Sequence, residues 1–77
     1  MIDKNKIKEG DFFKLKSGYS GKATNKAMQV MELWPKSMTV KTKGGCLTKP
    51  YSEFEKVNDV SKFKEVHYAT WFENNLN

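Results

Sequence analysis

Seventy-seven residues, 38% of them hydrophobic and 13% aromatic, make one small domain whose core has to be compact and rich in rings. Fourteen lysines against nine acids give a net charge of +5 with no arginine, which favours polyanionic partners, nucleic acid before membrane surface, and counts against bidentate reading of guanine. A single cysteine excludes an internal disulfide, no apolar run is long enough to span a bilayer, and the N-terminus is charged where a signal peptide would be apolar, so the expected setting is reducing and cytoplasmic.

Ile7 leads through a turn at Glu9-Gly10-Asp11 into a first strand over Phe12–Lys16, where Phe13 and Leu15 alternate with Lys14 and Lys16. Ser17 to Lys26 then reads as a loop of about ten residues, longer than an ordinary hairpin connection, with Gly18 and Gly21 around Tyr19. Ala27–Trp34 is a second strand ending at Pro35. Its composition also suits a helix, but eight residues without an N-cap make a poor one. Either Met28 with Val30 or Met31 with Leu33 is the buried set.

Ser37–Lys43 is the clearest strand, with Met38, Val40 and Thr42 on one face and Thr39, Lys41 and Lys43 on the other. Gly44-Gly45 marks a hairpin, Cys46-Leu47-Thr48 begins the returning strand, and Pro50 ends it or places it at an edge. Tyr51–Val57 has the spacing of a single helical turn with Phe54 and Val57 inward. After Asn58-Asp59 two readings compete. Val60, Phe63 and Val66 lie at helical spacing behind an Asp59 or Ser61 cap, whereas Val66–Phe72 is dense in β-formers and is read as strand. Asn74–Asn77 reads as a frayed tail.

The run Glu9-Gly10-Asp11, Leu15, Ser17-Gly18, Gly21-Lys22, Val30 and Met38-Thr-Val40 resembles a KOW motif, over a little more than half the chain. Leu15-Lys-Ser-Gly18 with Trp71-Phe72 is also similar to small bacterial SH3-like proteins. The chain departs from the KOW pattern in having Ala23–Ala27, without a glycine, where that family carries a further one. Both resemblances imply a mostly β fold, a small five-stranded SH3-like barrel of KOW or Tudor type, with binding done by loops and one open face. Residues 1–58 would form the barrel core. Residues 59–77 would pack on it as a strand or helix within the same domain.

No pattern suits an enzyme, a cofactor or a metal. His67 is the only histidine, Cys46 has no base partner in view, and Gly18–Lys22 lacks the spacing of a phosphate loop. The expectation is a non-enzymatic module that binds DNA or RNA with low sequence selectivity. Lys14, Lys16, Lys22, Lys26, Lys41 and Lys43 would contact phosphates, and Tyr19 would stack on a base. That reading needs lysines of separate strands to converge on one surface. Solvated lysines that blunt strand edges remain open as the plainer account. Trp34 and Tyr51, placed near the rim, are read as barrel-plug packing before base contact. The rival is a protein–protein module, for example a phage-type inhibitor of a host transcription or defence complex. A ribosome- or polymerase-associated factor would combine the two.

Overall fold

In a computed structural model, which describes residues 2–16 and 25–76, the chain is all β with single 3₁₀ turns and no α-helix among the described residues. Seven strands are formed: β1 Phe12–Leu15, β2 Lys26–Leu33, β3 Ser37–Thr42, β4 Gly45–Pro50, β5 Phe54–Val57, β6 Glu65–His67 and β7 Glu73–Asn74. They make one unclosed sheet ordered β4-β3-β2-β1-β5, in which neighbours are antiparallel. The two short strands β6 and β7 both pair with β2 in parallel. The described residues therefore form seven strands where the sequence suggested five.

β2 organises the rest, and a bulge explains its pattern. Val30 lies opposite Val40 but Glu32 lies opposite Thr39, so Met31 is an extra residue and the two-residue alternation slips by one. Met28 and Val30 before the slip and Leu33 after it all join one core cluster with Phe13, Leu15, Met38, Val40 and Phe54. Met31 is buried as well but faces away from that cluster. The two burial sets that the sequence offered as alternatives are thus both realised.

β5 corrects the helical reading of Tyr51–Val57. Only Tyr51–Glu53 forms a 3₁₀ turn; Phe54–Val57 is a strand antiparallel to β1. Phe54 sits opposite Leu15 in the core, while Val57 sits opposite Phe12 on the other face and borders Val60 and Phe63. Two buried residues three apart looked helical because both faces of this strand are covered.

The β3–β4 turn is Lys43-Gly44, one residue earlier than Gly44-Gly45, and Gly44 takes a φ of 76° that suits glycine. Beyond β5, Asp59 caps a 3₁₀ turn at Val60–Lys62 and accepts from the Ser61 hydroxyl and backbone N–H, which hold its carboxyl below the usual value. The stretch read as strand over Val66–Phe72 is divided. β6 and β7 flank an irregular arch, Tyr68–Phe72, so residues 65–76 form a strap along β2. The Gln29 side chain holds the arch, accepting from the Ala69 N–H at 2.7 Å while donating to the Gly10 carbonyl at 3.2 Å. The expected frayed tail is docked: Asn75 N–H donates to the Leu33 carbonyl at 2.8 Å, and Leu76 and Phe72 pack on the core.

Candidate nucleic-acid interface

The fold treats the two lysine pairs differently. On β1, Lys14 lies 3.6 Å from Glu55, its direct neighbour on β5, so an approaching phosphate there also meets a carboxylate. Lys16 lies away from Lys41, lining a cleft of about 450 Å³ between the N-terminal segment, β1 and β5. In that cleft Lys6, Lys16 and Lys56 are matched by Asp3, Asp11 and Glu55. Lys26 is 4.0 Å from Glu65 of the strap. Tyr19 and Lys22 lie outside the described residues.

Lys41 and Lys43 are placed in a different setting. No acid occurs anywhere from Leu33 to Ser52, and Lys36, Lys41, Lys43 and Lys49 all fall within that span. The span folds as the β3–β4 hairpin, whose outer strand β4 is one edge of the sheet. Lys41 Nζ donates to the Thr42 and Gly45 carbonyls at 3.0 and 3.2 Å, using two of its three N–H bonds and clamping the turn. Lys36 and Lys43 are exposed. Among the described residues no carboxylate pairs with Lys36, Lys41 or Lys43. Lys14 and Lys41 thus stand two strands apart in the sheet order, over separate hollows, and only the second hollow has no acid among its lining residues.

The same face of the hairpin carries a hydrogen-bonded row. Trp34 Nε1 donates to Thr39 Oγ1 at 3.2 Å, and Thr39 Oγ1 lies 2.7 Å from Thr48 Oγ1 across the strands. Tyr51 packs against the core and donates its hydroxyl to the Trp34 carbonyl, and burial pushes that hydroxyl above its usual value. Trp34 and Tyr51 are therefore both held by hydrogen bonds. Glu32 and Glu73 lie opposite each other where β2 pairs with β7.

The aromatic side chains that sequence reasoning missed are on the strap. Tyr68 is 64% exposed and Trp71 50%, whereas Trp34 is 36%. Trp71 borders a hollow of about 260 Å³ that Met31, Lys41 and Cys46 also line. Tyr68 meets Phe12 edge to face, with ring centroids 5.5 Å apart. Lys36 and Lys49 were also missed, although the acid-free span that contains them is visible in the sequence. No such signal separates Trp71 from Phe72, because alternation fails in the irregular arch.

Other chemistry finds little to work with. Among the described residues no three His, Cys, Asp or Glu side chains converge on a metal position, and no helix is long and apolar enough to cross a membrane. His67 Nε2 is buried and lies 3.4 Å from Glu65 Oε1, close enough for an ion pair, but it is not aligned for a hydrogen bond. Cys46 is exposed opposite Lys41 on β4. No protein-family model matches this chain, and no curated protein or solved structure shows significant similarity to it.

Proposed function

We propose that the protein is a non-enzymatic binding module of SH3-like architecture that grips the phosphate backbone of nucleic acid with little sequence selectivity. The architecture is supported by the path β4-β3-β2-β1-β5, by a bulged β2 shared between two pairings, and by the 3₁₀ turn that joins β4 to β5. The KOW-like opening of the sequence points the same way. One observation carries the function: the β3–β4 hairpin, which forms one side of the sheet, carries Lys36, Lys41 and Lys43 with no acid in its own sequence. Lys36, Lys41 and Lys43 act as point charges on phosphates, and the absence of arginine leaves base edges unread. Gel shifts across a salt series test this. The wild type shifts at low salt, and Lys41→Glu with Lys43→Glu abolishes the shift; indifference to both changes overturns the reading.

A second reading rests on the cleft beside β5. Its balanced rim of three lysines and three acids suits a polypeptide better than a polyanion. It keeps open a protein partner such as a host transcription or defence complex. Capture from lysate after nuclease treatment separates the two readings, since only a direct protein partner survives digestion.

A further inference from the structure

The strap that crosses β2 divides its apolar side chains in an unusual way. Phe72 and Leu76 turn into the core, yet Tyr68 and Trp71 remain outside with most or half of their surface in water. They are not loose. β6 and β7 pin the arch at both ends, and the Gln29 side chain binds the N–H of Ala69, the residue next to Tyr68. Phe12 touches Tyr68 edge to face, an arrangement that fixes the ring and leaves part of it open. Trp71 stands over the hollow that Lys41 also lines, so its indole adjoins a cation of the acid-free hairpin.

We infer that this face is built for single strands: one unpaired base stacks on the Trp71 indole and another on the Tyr68 ring, while Lys41 and Lys43 hold the phosphates alongside. The inference rests on the phosphate-binding reading and adds what that reading leaves open, the strandedness of the partner. Stacking on an exposed ring needs a base whose π-face is free, which a duplex denies and a single strand offers whatever its sequence. Charge complementarity selects a polyanion over an apolar partner here, because Lys41, which lines the Trp71 hollow, is matched by no carboxylate among the described residues. Deoxyribose and ribose strands share this chemistry.

The test uses the full chain and fluorescence anisotropy of labelled oligothymidylate, oligouridylate and a duplex of equal length at low salt. The single strands, of either or both sugars, bind more tightly than the duplex. Trp71→Ala and Tyr68→Ala each weaken the single-strand complex by about fivefold or more, the low end of what losing one stacked base does. Trp71→Phe, which keeps a ring over the hollow, restores most of the affinity and guards against misreading an unfolded variant. Duplex affinity stays as in the wild type in all three. If single strand and duplex bind equally and the ring variants change nothing, stacking is overturned while phosphate binding stands. If no oligomer binds, including the case in which a protein is retained after nuclease treatment, both readings fall together.

Discussion

The salt dependence of binding is where the hairpin assignment is most exposed to refutation. On a single strand each neutralised phosphate contributes about −0.7 to the slope of log K against log salt. Lys36, Lys41 and Lys43 supply three cations without a paired carboxylate among the described residues, so the slope should be about −2, or roughly a 20-fold loss of affinity over a fourfold rise in salt. Lys43→Ala removes one contact from the turn, where the side chain is exposed, and the slope becomes about −1.4, roughly a sevenfold loss over the same range. Lys14→Ala is the matched control. Lys14 lies beside Glu55 and ought to release no counterion, so its loss leaves the slope where it was. Lys41→Met should do more than Lys43→Ala, because it also removes the clamp on the Thr42 and Gly45 carbonyls. Anisotropy titrations at several salt concentrations read all four slopes. A Lys14→Ala slope as shallow as that of Lys43→Ala would refute the localisation of binding to the hairpin.

Three further expectations concern the fold that positions this face. Phe54→Ala removes a fully buried ring, 6.4 Å from Phe13 between centroids, and should cost about 3–5 kcal/mol in denaturant unfolding, much of what so small a domain has. A loss under about 1 kcal/mol would deny β5 its place in the core. Gln29→Ala frees the arch, so hydrogen exchange at Ala69 should quicken by about fivefold or more, the effect of losing about 1 kcal/mol, whereas Gln29→Glu keeps the acceptor and the protection. Tyr51 titrates above its usual value because it is partly buried, and it must keep its proton to donate to the Trp34 carbonyl. The contribution is therefore whole below the unfolded value of the group and lost as pH rises through the folded one, so the wild type should weaken more steeply in alkali than Tyr51→Phe.

The sequence makes β1 to β4 legible because each carries a period or a turn that local chemistry enforces. Phe13 and Leu15 alternate with lysines, Met38 and Val40 alternate with Thr39 and Lys41, and Lys43-Gly44-Gly45 admits a tight reversal. What escapes it is decided by pairing at long range. Phe54 and Val57 read as one helical face until the core on one side and Val60 with Phe63 on the other show why both are buried. The strap looked like a continuous strand because Val66–Phe72 is rich in β-formers, yet only its ends find β2, on either side of the Gln29 contact. The lysine pattern was visible but its meaning was not. Alternation shows that Lys14 and Lys16 share a face, and it cannot show that Glu55 arrives beside Lys14 from forty-one residues downstream.

The bulge at Met31 links the fold to the proposed interface. By adding one residue to β2 it lets Val30 and Leu33 both point inward while Met31 stays on the other face, lining one hollow with Trp71 and Lys41. An unbulged β2 would keep Met31 on the face opposite Val30 but swing Leu33 out to join it, emptying a fully buried core position. Core packing therefore demands the slip, and the slip sets the register in which β3 follows β2. That register puts Val40 opposite Val30, and the next residue, Lys41, lines the hollow that the strap's indole borders. Met31 thus shares a hollow with the cation and the ring, while the same slip lets Leu33 complete the core. A variant that restores regular pairing at Met31 should thus disturb stability and binding together, and no surface lysine change can reproduce that pair of effects.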